Sequence, residues 1–220
     1  TMCKQWMWAA VAVGMCSIGA WSMSDDKAAP ADGHAGHGDH AAKPAEGHAD
    51  GGMDPAMMEA WMKSMSPGEH HKTLEAMAGK FTYTMWFRMD PDQPKQESTG
   101  EYDAQIILGG RFLASTVKGD MMGMPFEGMG CLGYDNTLGK YVSGWIDNMS
   151  TGLLRTEGTG DGKTLTFAGE MVDPMTGKPT PYKFVYNIKS DDEFSMDWWS
   201  PSPAGGEMFQ SMSLSYTRAK

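Results

Sequence analysis

From Lys80 onward the apolar residues change step. Phe81, Tyr83, Met85, Phe87 and Met89 alternate with Thr82, Thr84, Trp86 and Arg88. A spacing of two places one set on each face of a strand, and a helix of 3.6 residues per turn does not satisfy it. Turn chemistry then recurs at short intervals. Gly109-Gly110 separates 102–108 from 111–117, and Asp135-Asn136 with Gly139 separates a glycine-rich strand near 126–134 from 141–146. Asn148 to Gly152 leads into 153–158, and Gly160-Asp161-Gly162 into 164–170. Asp173-Pro174-Met175-Thr176-Gly177 leads to 182–188, Ser190-Asp191-Asp192 to 194–199, and Pro201 to Gly206 to a last strand over 208–217.

Ten short strands with hairpin-length links and no long helix between them must pair antiparallel, because parallel pairing needs crossover connections. Twenty-eight glycines in 220 residues suit so many turns. An open sheet of ten strands leaves two sticky edges, which closure removes. The expected fold is therefore all-β, an antiparallel up-and-down barrel of about ten strands with a short N-terminal helical lead-in. A two-sheet sandwich stays open at this point. A barrel of eight to ten strands has room for a small ligand.

The chain divides into four stretches. Residues 1–24 carry Lys4, an apolar run from Trp6 to Ala20 and small residues beyond it, the pattern of a signal peptide. The expected location is exported, periplasmic or secreted, with lipid anchoring at Cys16 as a variant. The run is short for a membrane span. Residues 25–54 hold seven acids, two lysines and almost nothing apolar. They read as a disordered tether, unable to offset their ordering entropy by burial. Residues 55–79 form the helical lead-in, and 80–220 the barrel domain. Asp54-Pro55 gives the first helix an N-cap and a proline at its first position. Met57, Met58, Trp61, Met62 and Met65 follow at helical spacing. Ser66-Pro67-Gly68-Glu69 reads as a capping box for a second helix, with Leu74, Met77 and Ala78 as its apolar face.

Four histidines of the tether, His34, His37, His40 and His48, and the thioethers of Met58 and Met62 form a candidate copper-handling set, since imidazole and soft sulfur both suit copper. The other reading makes the tether a spacer and the Met stripe an apolar face docked on the body. His70 and His71 point about 100° apart on the second helix and do not share a metal. One is expected at the surface and one in the packing. With Cys3 and Cys16 in the export segment, Cys131 stands alone and no internal disulfide forms. It is expected as a small buried hydrophobe.

The balance of charge, 18 Lys+Arg against 28 Asp+Glu for a net −10, excludes a nucleic-acid partner, which needs clustered cations. Gly128 to Gly133 matches G-x-G-x-x-G, but a turn at Tyr134-Asp135-Asn136 follows where a dinucleotide site needs a helix N-terminus. Gly158 to Thr164 imitates a phosphate loop with Glu157 at the required first glycine. G-x-S-x-G, H-E-x-x-H and C-x-x-C are absent from the sequence. An enzyme would have to work with carboxylates such as Glu127, Asp135, Asp147, Glu170 or Asp197, because the β region has no histidine.

Several segments together resemble the DUF1579 family of uncharacterised bacterial proteins. They are Pro67 to Lys72, Leu74 to Phe81, Leu108 to Leu113, Pro125 to Gly128, Gly133 to Asn136, Trp145 to Asp147, Asp173 to Gly177 and Tyr216 to Arg218. The resemblance spans roughly residues 60–218 and implies a lipocalin-like, calycin-type barrel, with no activity attached. It also implies that Gly79-Lys80-Phe81 stands where such barrels carry Gly-x-Trp, with Arg218 on the last strand across that aromatic.

The expected function is an exported, non-enzymatic barrel that binds a small apolar or amphipathic molecule, with no stable membrane span after processing. Its candidate ligand residues are Trp86, Arg111, Phe126, Glu127, Tyr134, Trp145 and Asp147, where bulky aromatics and charges fall together. The alternatives are copper handling through the tether and Met helix, and an enzyme of unknown chemistry.

Overall fold

The computed structural model describes residues 54–220 except 175, 203 and 204. The expected signal peptide, and the expected tether with His34, His37, His40 and His48, lie outside the described residues. Ten strands follow in chain order: β1 (Gly79–Phe87), β2 (Gln96–Ile107), β3 (Phe112–Met121), β4 (Met124–Asp135), β5 (Lys140–Asp147), β6 (Leu154–Gly160), β7 (Thr164–Val172), β8 (Pro179–Ser190), β9 (Glu193–Pro201) and β10 (Met208–Arg218). Each pairs antiparallel with its chain neighbour, and β1 pairs with β10 to close the barrel. Closure excludes the sandwich. The turn residues placed most boundaries. The β3–β4 hairpin through Met122 and Gly123, both at positive φ, carries one glycine only and the sequence pattern does not mark it.

Alternation decides what faces in. From β1, Phe81, Tyr83, Met85 and Phe87 are buried while Lys80, Thr82 and Thr84 are exposed. The registers carry that parity round the wall: Phe81 lies beside Tyr102 and Arg218, and Tyr83 beside Tyr216. Aromatic rings fill the lower interior. Phe194 stacks on Tyr216 at 4.2 Å, Phe81 meets Phe194 edge-on at 5.1 Å, and Phe167 stacks on Phe184 at 4.7 Å. Fully burying an aromatic contributes on the order of 2–3 kcal/mol, so these rings dominate the packing.

The lead-in consists of α1 (Pro55–Met65), α2 (Glu69–Lys72) and a 3₁₀ turn (Thr73–Met77). Asp54 caps α1 through its carboxylate, which accepts from the Ala56 N–H at 2.8 Å. The second helix starts two residues later than the sequence suggests. Gly68 is its N-cap, and the Gly68 N–H donates to Nδ1 of His71 at 3.0 Å. His71 is buried, and burial lowers its pKa, in keeping with a neutral ring that accepts this bond. Leu74 and Met77, 0% and 1% exposed, close one end of the barrel. His70 stacks on Tyr134 at 4.1 Å. Arg218 completes the closure. Its guanidinium lies 4.4 Å from the centre of the Phe81 ring and donates to the Ala78 carbonyl at 2.9 Å. Gly79 at φ +117° leaves the space for it, because a Cβ there would sit 2.3 Å from Nη1 of Arg218.

Two expectations are corrected. The Met stripe does not dock on the body. No residue of α1 is buried, and Met57 and Trp61 are 62% and 51% exposed. The helix is held by its C-terminal end instead. Asn136 Nδ2 donates to the carbonyls of Lys63, Ser64 and Ser66 at 3.2, 3.2 and 2.8 Å, and Arg111 donates to the Met65 carbonyl at 2.7 Å. These carbonyls lie past the last i→i−4 bond of the helix, only that of Lys63 also accepting from the Ser66 N–H at 3.3 Å, so polar capping replaces apolar burial. Cys131 is exposed on the outer face of β4 rather than buried, because its neighbour Leu132 takes the inward position.

Candidate functional site

The two ends of the barrel differ. At the closed end the inward side chains are sealed under Leu74 and Met77. At the other end the links that follow β3, β5 and β7 rim a mouth. There Met121, Phe126, Trp145, Met171, Trp198 and Met212 face inward yet are only partly buried. An inward apolar side chain that keeps solvent contact borders space inside the wall. Gly128 and Gly130 make part of that space. A Cβ on Gly128 would lie 2.3 Å from Cζ2 of Trp145, so the glycines let the indole lie flat along β4. Phe126 stacks with Trp145 at 6.4 Å, and the indole Nε1–H donates to Asp147 at 2.8 Å. Opposite them, Trp198 stacks on Tyr182 at 4.7 Å and on Phe184 at 5.3 Å.

Of the residues that the sequence singles out, the structure brings Phe126, Trp145 and Asp147 together at this mouth. Arg111 and Tyr134 sit at the closed end, where they hold α1 and His70. Trp86 and Glu127 face outward. The Lys95 ammonium lies 3.5 Å from the centre of the Trp86 ring, and Glu127 pairs with Lys118 at 3.3 Å. Trp86 lines a shallow groove of about 390 Å³ on the outer wall with Thr84, Glu97, Thr99, Ser213 and Ser215. Met58 and Met62 lie on the exposed face of α1. Among the described residues no three His, Cys, Asp or Glu side chains come close enough to hold a metal, and no helix is long and apolar enough to cross a membrane. Asp135 caps its turn by accepting from the N–H groups of Thr137 and Leu138. Asp197 accepts from Asn187, Gln210 and Ser213.

Sequence reasoning passed over the middle of the barrel. Tyr83, Tyr102, Tyr186 and Tyr216 converge there from β1, β2, β8 and β10. Tyr102 meets Tyr216 at 5.2 Å and Tyr83 meets Tyr216 at 5.8 Å. Burial pushes the Tyr186 hydroxyl up to about 12, and the Tyr102 and Tyr216 hydroxyls well above the usual phenol range. The period-two pattern that marks β1 also places Tyr102 and Tyr216 inward, but their convergence depends on register across four strands.

The sequence model of the family described as "Protein of unknown function (DUF1579)" matches residues 66–218. The chain belongs to the DUF1579 family. No curated protein matches it. Among solved structures, the DUF1579 barrel is similar to the crystal structure of Rv2717c from M. tuberculosis, with a TM-score of 0.51 and 15% identity over 70% of this chain and 100% of that one. That likeness shows a shared fold. A second structure, EF1p2_mFAP2b bound to DFHBI, aligns at 15% identity over 68% of this chain and 99% of that one, with a TM-score of 0.39. That overlay is too loose to bear on function.

Proposed function

We propose that this DUF1579 barrel is an exported, non-enzymatic protein that takes a small apolar or amphipathic molecule in through its mouth. One observation carries the reading: the interior is sealed at the helical end and lined at the other by inward aromatics and methionines that keep solvent contact. Apolar walls supply the affinity, and the Asp147 carboxylate at the rim offers a polar contact. Export rests on the apolar run after Lys4.

The neutral dye N-phenyl-1-naphthylamine, which brightens when it leaves water, tests the reading. Titration should saturate at one dye per barrel and quench Trp145 and Trp198. Trp145→Ala should weaken the dye about tenfold, since losing a well-packed aromatic contact is worth roughly 1–2 kcal/mol. A brightening that never saturates, or one unchanged by Trp145→Ala, would defeat the proposal.

A second reading is favoured by the exposed Met stripe, for which the barrel provides no packing role. In this reading, Met58 and Met62, with the histidines of the tether, capture copper(I). The full chain should then compete with a bathocuproine chelator for copper(I), and the double variant Met58→Leu/Met62→Leu should compete less well. Equal competition by both proteins removes the helix from the reading.

A further inference from the structure

Two of the four central tyrosines have a polar protein group beside the hydroxyl. The Tyr83 hydroxyl donates to the Lys118 carbonyl at 3.5 Å, and the Tyr102 hydroxyl lies near the Ser115 side chain. The other two do not. Among the described residues, no side chain or carbonyl makes a hydrogen bond with the hydroxyl of Tyr186 or Tyr216, whose contacts are with rings. Tyr216 is 4% exposed, so this is a polar atom deep in the protein without a protein partner, and such groups normally are paired. Yet Ser150 Oγ is the only side-chain polar atom, among the described residues, that is both sealed off and unpartnered. The two hydroxyls therefore border space that a water molecule can reach. Tyr186 confirms it. The wall surrounds it, and it still keeps accessible surface, as does its neighbour Met196 across the β8–β9 pair.

We propose that this space is the inner end of a ligand chamber, and that the Tyr186 and Tyr216 hydroxyls receive the carbonyl of a neutral, mostly apolar molecule, a ketone or quinone. This rests on the mouth being the entrance to a ligand site, and it adds the chemistry of the ligand's polar end. The rings packed against Tyr186, those of Phe167, Phe184 and Phe194, are apolar, and Tyr216 packs on Phe194, Tyr83 and Tyr102. The hydroxyls are neutral donors, and among the described residues no Lys, Arg or His side chain makes a hydrogen bond, cation–π or ring contact with either tyrosine. A carboxylate would enter without a counter-charge and lose its hydration, which costs far more than two hydrogen bonds return. A carbonyl oxygen has two lone pairs for two donors and little hydration to lose.

The test uses 1-indanone, its hydrocarbon isostere indane, and indane-1-carboxylate as competitors of N-phenyl-1-naphthylamine on the full chain. Indanone should displace the dye about tenfold more tightly than indane, two neutral hydrogen bonds being worth on the order of 1–2 kcal/mol. Its carbonyl stretch should shift to lower frequency when bound. Tyr186→Phe and Tyr216→Phe remove only a hydroxyl. Each should erase part of the preference, and the double variant all of it, with indane unaffected. Equal binding of indanone and indane, tighter binding of the carboxylate, or an unshifted carbonyl band would overturn the assignment and leave the ligand chamber standing. If the dye itself fails to bind, the reading of the mouth fails with it.

Discussion

Raising the pH through 10 to 12 should unfold the barrel cooperatively, with the tyrosinate absorbance near 295 nm and the loss of β-sheet signal arriving together. Tyr102, Tyr186 and Tyr216 have folded-state values raised above the ordinary 10 by burial, and Tyr102 and Tyr216 are raised further by charge on a neighbouring tyrosine. Below pH 10 both folded and unfolded chains keep these protons, and stability does not depend on them. Above pH 10 the unfolded chain releases them and the folded chain does not, so stability falls as pH rises toward the folded values. Each group costs about 1.4 kcal/mol per pH unit, and three together about 4. Against a total of about 5–15 kcal/mol, the margin is gone within a few pH units. Tyr216→Phe should move the midpoint to higher pH. If all seven tyrosines ionise smoothly near 10 while the sheet signal persists, the three hydroxyls are not held away from bulk solvent.

Gly100→Ala should cost about 3 kcal/mol, at the high end of what overpacking does. A Cβ there would lie 2.2 Å from the Lys118 carbonyl oxygen and 2.4 Å from the Tyr83 hydroxyl. The first of these is backbone of the paired strand, which moves only by breaking register with β3. Gly119, directly across the ladder, is equally tight against Tyr83, at 2.3 Å. This pair of glycines is the slot in which the Tyr83 ring lies along the wall. Gly144→Ala is the matched control, also in a strand, with nothing within 4 Å of its Cβ, and should change stability by less than about 0.5 kcal/mol. Urea midpoints compare the two. Equal midpoints would mean that the slot relaxes freely and that Tyr83 is not locked in place.

Strand number, antiparallel order and most boundaries were legible in the sequence, because period-two alternation and glycine or aspartate turns are local signals. Phe81 and Arg218 were paired correctly by resemblance, and the structure puts the guanidinium over the ring. Phe126, Trp145 and Asp147 were legible as a group, since β4 and β5 are neighbours in a hairpin. Trp86, Arg111, Glu127 and Tyr134 were drawn to the same site by residue type alone, and the pleat and the ends of the strands sent them elsewhere.

The Met stripe shows the limit of pattern most plainly. Helical spacing makes an apolar face but does not say what meets it. Asn136 and Arg111, one in the β4–β5 turn and one beside the β2–β3 turn, hold α1 end-on and leave the stripe in solvent. By itself the sequence determined which residues alternate and where the chain turns, because those depend on neighbours two to four positions away. Only the closed barrel decided that Tyr83, Tyr102, Tyr186 and Tyr216 share one space. That depends on β1 meeting β10, whose paired residues lie more than a hundred positions apart, and on the register carried round all ten ladders.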